Sequence, residues 1–310
     1  MNTIFRAIQK RQLYRPLPSI AGALWSVSFQ VRTPIKAQPD SAGKLVFFLS
    51  LTFAATWLLW AAARGLSFGI DPASTSAALG SAVFLLGVFA PGLVALALTH
   101  RAGGLAATQA LLVRILKGRV EPRFYLFAIV FMPVVKLLVA FVHRLATGDW
   151  PVFGETRWYV MAGAILISTW VQSGEEVGWR GYALPLLTAR FGLVGASLIL
   201  GVIWAGWHLP LFFFPAGDTF GQSFPLYLMQ VIALSIVAAW LYWRTEGSLL
   251  LVMLLHASIN NTKDIVPSAV LGAQAPLALS ASLPGWLTLV ILWTAAAFLL
   301  VRMRGVKDLA

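Results

Sequence analysis

Cysteine is absent from these 310 residues, which excludes disulfides and thiol catalysis, though helices packed in lipid have no need of either. Charge is scarce as well. Only 11% of residues are Asp, Glu, Lys or Arg, where soluble domains carry about 25%. Acidic side chains number 11 against 23 Lys and Arg. No internal repeat, RNA-binding signature or zinc-finger spacing is found, and the His-Glu-x-x-His helix of the zincins is missing. What fills the chain instead is apolar: 59% hydrophobic residues and a mean hydropathy of +0.81. The fold class that follows is all-α, a polytopic membrane helix bundle of about eight transmembrane helices. A net charge of +12 would point to nucleic acid in a soluble protein. Here it is explained by basic segments facing anionic lipid, so the expected partner is the bilayer and not nucleic acid.

The chain divides into a basic N-terminal tail, residues 1–44, and a membrane-embedded body, 45–305. The tail carries Arg6, Lys10, Arg11, Arg15, Arg32, Lys36 and Lys44 against Asp40 alone, and Pro16, Pro18, Pro34 and Pro39 prevent one long helix. Met1 to Tyr14 suits a short basic amphipathic helix on the membrane surface. The same composition suits a targeting leader or a flexible tail, and these readings stay open.

Uncharged runs of membrane-spanning length, about 20 residues, recur from there. They lie near Leu45–Ala63, Ala78–Thr99, Phe124–Val142, Tyr159–Tyr182, Leu193–Phe214, Leu226–Trp243, Ser248–Asn261 and Gly285–Val301. The seventh is short and suits a tilted or re-entrant helix. Eight spans put both termini on one side. With the N-terminus inside, the inner segments hold 18 Lys and Arg and the outer loops 4, Lys136 lying within its span. The positive-inside rule then orients both termini to the cytoplasm of what reads as a bacterial plasma membrane. Between Arg101 and Arg123, apolar Leu111, Leu112, Ile115 and Leu116 alternate with basic residues, the pattern of a surface-lying helix. Lys136 either pairs with a carboxylate in the bundle or snorkels to the outer interface.

Against this background, Ser173-Gly174-Glu175-Glu176-Val177-Gly178-Trp179-Arg180-Gly181-Tyr182 stands out. A charge at membrane depth costs a few kcal/mol or more, about 3 on insertion scales, and three occur here within six residues. On a helix Glu176 and Arg180 are i and i+4 and share a face, while Glu175 is turned by about 100°. An ion pair is therefore expected for Glu176–Arg180, with Glu175 directed elsewhere. Further on, Trp204-Ala205-Gly206-Trp207-His208-Leu209-Pro210 brings a histidine into an apolar helix. His256-Ala257-Ser258-Ile259-Asn260 then places His256 and Asn260 on one face. A lone intramembrane histidine is commonly a satisfied core residue. Polar groups on three spans are another matter, because in lipid they must find each other or water. A shared wet cavity follows. At 1.5 Å per residue, His256 lies about 12 Å and Asn260 about 18 Å from the inner end of their span. Glu175 matches that depth only if its helix continues past Arg180 towards Pro185, and His208 comes out deeper, at about 22 Å from Leu193.

These motifs resemble the CPBP family, the CAAX-protease and bacteriocin-processing (Abi) proteins that include the type II CAAX prenyl endopeptidases. The likeness rests on Glu175-Glu176-Val177-Gly178-Trp179-Arg180-Gly181, on Trp204 to Pro210, and on Gly247-Ser248-Leu249-Leu250 leading to His256 and Asn260. It covers a core of about residues 160–262 and reaches back more weakly through Phe89-Ala90-Pro91-Gly92. Trp204 departs from the phenylalanine typical of the eukaryotic members while keeping bulk and aromaticity. The resemblance implies intramembrane endoproteolysis of a membrane-associated or lipidated protein or peptide. It implies that Glu175 and His208 activate water, that His256 and Asn260 stabilise the oxyanion, and that Glu176, Arg180 and Trp204 support them. Members are often labelled metalloproteases, and zinc would fall to Glu175, His208 and His256. Asn260 is a poor zinc ligand, and no tightly bound cofactor is expected. Two other functions share these features: a transporter, since intramembrane carboxylates mark ion paths, and a non-catalytic peptide scaffold or immunity protein. Neither the substrate's identity nor the oligomeric state is legible in the sequence.

Overall fold

A computed structural model describes residues 41–67, 75–214, 219–268, 275–307 and 309, all within one compact unit, 34–310. The basic tail up to Asp40, with the surface helix expected over Met1–Tyr14, lies outside the described residues. The described chain is helical, with no strand among the described residues. In order come α1 (Ser41–Ser67), α2 (Thr75–Val113), α3 (Pro122–Thr147), α4 (Trp158–Val171), α5 (Ser173–Gly178), α6 (Leu184–Trp207), α7 (Phe224–Arg244), α8 (Leu249–Thr262) and α9 (Leu283–Arg302). Large apolar side chains face outward along them, Leu58 at 71% and Ile167 at 74% exposure. A water-soluble fold does not leave such residues bare along whole helices, and lipid is the solvent that suits them. The chain is an integral membrane protein.

Six helical stretches among the described residues are long and apolar enough to cross a bilayer, against the eight expected. The difference has two physical sources. Residues Trp158–Phe213 run as a single stretch of 56 residues, so the fourth and fifth expected spans fall in one count. Gly192, at φ 67° and ψ 168°, interrupts that stretch in a region open only to glycine. The seventh span is α8, whose 14 residues rise about 21 Å, short of a hydrocarbon core of about 30 Å. It forms all the same, because it is buried almost all round, from Leu251 to Ile259 without a break, and needs no lipid-facing side.

α8 packs against α3, α4 and α7, while α2 lies against α1 and α5, and α9 closes on α7 and α3. The first-turn amides of α8 are capped by the Ser248 hydroxyl, which accepts from Leu251 N at 3.3 Å and donates to the Lys117 carbonyl at 2.6 Å. That second bond anchors the basic segment after Arg101. Gly104, at φ 65°, breaks the helix there, and the chain then lays Leu111 into the core. Arg114 donates to the Tyr242 hydroxyl at 2.6 Å. Leu112 and Leu116 of the same apolar set stay exposed on the protein, as suits a segment lying on the membrane surface.

Lys136 takes neither of its two expected roles. It is 2% exposed, and its ammonium donates to the Val266 carbonyl at 3.0 Å, Ser268 Oγ at 2.8 Å and Thr288 Oγ1 at 3.2 Å. Three neutral oxygens match the three donors of an ammonium. The side chain ties α3 to the segment after α8 and to α9.

Candidate active site

The site begins with close contact between backbones. Gly174 and Gly178 are four apart on α5 and turn one face to the Phe89-Ala90-Pro91-Gly92 segment of α2. A Cβ on Gly178 would lie 2.6 Å from the Pro91 carbonyl carbon, and one on Gly174 2.9 Å from Phe89 Cα. From the other side, a Cβ on Gly92 would lie 2.8 Å from the Gly174 carbonyl oxygen. Small residues at this spacing let membrane helices approach closely. With that face committed to α2, Glu175 and Glu176 are directed to the other sides of α5.

After Gly178 the chain continues as a π-turn, Trp179–Ala183, and then as α6. Such turns recur at functional sites within helices. The helical path therefore does continue past Arg180 through Pro185, as matching depths require. Arg180 Nη1 donates to Glu176 Oε1 at 2.9 Å, both side chains being shut away from solvent. The expected ion pair is present. The same oxygen lies 2.7 Å from His256 Nδ1, so Nδ1 carries the proton and the carboxylate accepts twice. Glu176 Oε2 and Arg180 Nε and Nη2 are buried with no partner among the described residues. The knot is thus buried and only partly satisfied. Removing one member of such a pair costs about 3–5 kcal/mol.

Glu175 belongs to a different arrangement. It retains 5% exposure where Glu176 has none, and its Oε2 accepts from the Trp204 indole N–H at 2.8 Å. The Trp204 ring lies beneath the Arg180 guanidinium at 4.3 Å and meets His256 edge-on at 5.1 Å. One indole therefore touches both halves of the site. One turn later, at the end of α6, His208 Nδ1 donates to the Trp204 carbonyl at 2.9 Å. In the neutral imidazole this tautomer places the lone pair on Nε2. His208 is half-buried, packed edge-on against Trp207 and Tyr227.

Asn260 stands one turn beyond His256 on α8. It is exposed and makes no hydrogen bond among the described residues, whereas its neighbour Asn261 donates to Ser168 Oγ and the Ala257 carbonyl, each at 2.8 Å. The structure thus joins His256 directly to Glu176 and leaves Asn260 outside the hydrogen-bonded cluster.

Residues 155–262, from just before α4 to the end of α8, match the family model of type II CAAX prenyl endopeptidases, Rce1-like. Over 238 residues, 71% of this chain and 84% of the relative, the sequence is 26% identical to CAAX prenyl protease 2 of Methanococcus maripaludis. Over this segment the chain is similar to the type II CAAX prenyl endopeptidases. Its class of activity is accordingly that of an intramembrane endopeptidase, and every residue of the cluster falls inside the matched segment.

Within the matched segment, two features escaped the sequence reading. One is the role of Gly174 and Gly178, whose spacing is a known helix-contact signal in an apolar run. The other is the Glu176–His256 bond, for which no spacing rule exists, since it joins residues 80 positions apart. A zinc site on Glu175, His208 and His256 needs three donors about 2.0–2.2 Å from one point. No three His, Asp or Glu side chains gather in that way among the described residues, while the bond from His256 Nδ1 to Glu176 leaves the other ring nitrogen, Nε2, as the one a metal would use. No step below is routed through a metal.

Proposed function

We propose that this protein cleaves a membrane-associated protein or peptide by means of a water activated by Glu175, with the oxyanion held by His256 and Asn260. The supporting observation is the division of labour between the adjacent glutamates. Glu176 is locked to Arg180 and His256, while Glu175 keeps contact with solvent and is held through one oxygen only. A carboxylate so placed takes a proton from water as the water oxygen attacks the scissile carbonyl, and His208 serves as second acceptor to orient that water. The tetrahedral oxygen gathers negative charge as the C–O bond forms. The His256 ring, doubly protonated with Nδ1–H on the Glu176 carboxylate, donates from Nε2–H, and the uncommitted Asn260 amide adds a second donor. When the C–N bond breaks, the proton on Glu175 passes to the leaving nitrogen, which restores the carboxylate. Glu176 acts by holding His256 with Nδ1 protonated, and Arg180 by neutralising Glu176.

Comparing membrane peptides from cells that express the wild type or Glu175→Ala tests this reading. Fragments with new termini near a membrane segment should disappear in the variant. Identical peptide sets would refute proteolysis and leave a peptide-holding scaffold. The excess of basic residues on the inner segments supports cytoplasmic termini in the same reading.

A further inference from the structure

At the end of the bundle where α3 begins and α7 and α9 finish, a groove of about 490 Å³ opens between the three helices. Its mouth is set by Arg123, Arg244 and Arg302, and its wall by Phe127, Trp240, Trp243 and Phe298. The aromatics hold one another in place: Phe127 meets Trp240 edge-on at 5.0 Å. Each arginine lies over an aromatic ring of its own helix, at 5.1 Å for Arg123 on Phe124, 5.5 Å for Arg244 on Trp243 and 5.0 Å for Arg302 on Phe298. Stacking of this kind holds a guanidinium plane while leaving its edge donors directed outward. Glu121 takes up Arg123 at 2.8 Å. Arg244 and Arg302 meet no carboxylate among the described residues. Two uncompensated guanidiniums thus converge on an apolar slot, at the end of the molecule that the charge asymmetry assigns to the cytoplasmic leaflet.

We infer that this groove binds an anionic phospholipid. Its phosphate sits between Arg244 and Arg302, and an acyl chain runs along Phe127, Trp240 and Phe298. Guanidinium groups pair with phosphate oxygens through two parallel N–H donors, and basic pockets between membrane helices on the cytoplasmic side bind acidic headgroups. The slot sets this apart from a diffuse basic surface. A bare basic rim attracts any anion, whereas a rim above an aromatic-lined groove selects one that carries a hydrocarbon chain. The site lies outside the Glu175 cluster and does not depend on the reaction proposed for it.

The experiment is native mass spectrometry of the full chain, delipidated in detergent and titrated with dioleoyl phosphatidylglycerol, dioleoyl phosphatidylcholine or sodium phosphate. The wild type should retain phosphatidylglycerol at least ~10-fold more tightly than phosphatidylcholine, the scale set by two arginines at about five-fold each. Arg244→Gln/Arg302→Gln should erase that preference, and each single variant should lose part of it. Arg157→Gln, at a distant exposed position, should keep it. All three side chains are exposed, and the single variants read out the site even if the double variant does not fold. Equal retention of both lipids by the wild type, or undiminished phosphatidylglycerol binding by the variants, would overturn the inference. Displacement of phosphatidylglycerol by millimolar phosphate would overturn it too, by showing a plain anion site.

Discussion

The proposed chemistry turns on two adjacent pairs whose members face different ways. Glu175 and Glu176 differ by one residue, yet one is committed to Arg180 and His256 and the other only to the Trp204 N–H. Asn260 and Asn261 divide in the same manner. On a helix a step of one residue is a turn of about 100°, and the wording Glu-Glu-x-x-x-Arg alone indicated which glutamate the arginine would take. What the wording could not show is that Trp204 bridges the two halves, because indole contacts depend on packing across helices. Trp204→Phe tests that bridge. It keeps a ring beneath Arg180 and beside His256 but deletes the donor to Glu175. Losing a hydrogen bond to a charged group costs about 1.5–3 kcal/mol, so cleavage should fall about 10-fold or more with little change in melting temperature. Unchanged cleavage would show that the indole N–H does not position Glu175.

At the scale of elements, most of the bundle was legible. Seven of the expected spans have matching stretches of long apolar helix, and even the short Ser248–Asn261 run is helical. The reading failed where length and hydropathy carry no information. Burial on all sides makes 14 residues enough for α8, and a single glycine at 192 decides how a 56-residue stretch is divided. Nor did the hydropathy pattern reveal that α5 touches α2 backbone to backbone. The clash at Gly178 is with backbone, and no side-chain rotation relieves it. Gly178→Ala should therefore destabilise by about 1–3 kcal/mol, as overpacking does, lowering the melting temperature and the yield of folded protein. Gly206→Ala is the control: a Cβ there meets nothing within 4 Å, and alanine favours the helix by about 1 kcal/mol. Equal behaviour of the two variants would contradict the packing account.

For the molecule as a whole, the account is of a charge-poor helical body in which Glu175, Glu176, Arg180 and His256 gather into one buried cluster, apart from the separately buried Lys136. The natural absence of cysteine makes the orientation testable without background. Ser41→Cys and Ala310→Cys should resist an impermeant thiol reagent in intact cells and react once the membrane is opened. Labelling of either from outside would reverse the topology. The central claim is that one glutamate does the chemistry while its neighbour holds the fold, and one paired measurement addresses it. Purified wild type, Glu175→Gln and Glu176→Gln are each given a membrane-tethered peptide and each melted in the same detergent. Glu175→Gln should melt near the wild type and lose at least ~100-fold in cleavage, the lower range for loss of a general base. Glu176→Gln should melt lower, since it strips charge from a buried pair worth about 3–5 kcal/mol to either partner, and lose activity with it. Normal cleavage by Glu175→Gln, beside a Glu176→Gln that melts normally but is dead, would mean that the two roles are the other way round.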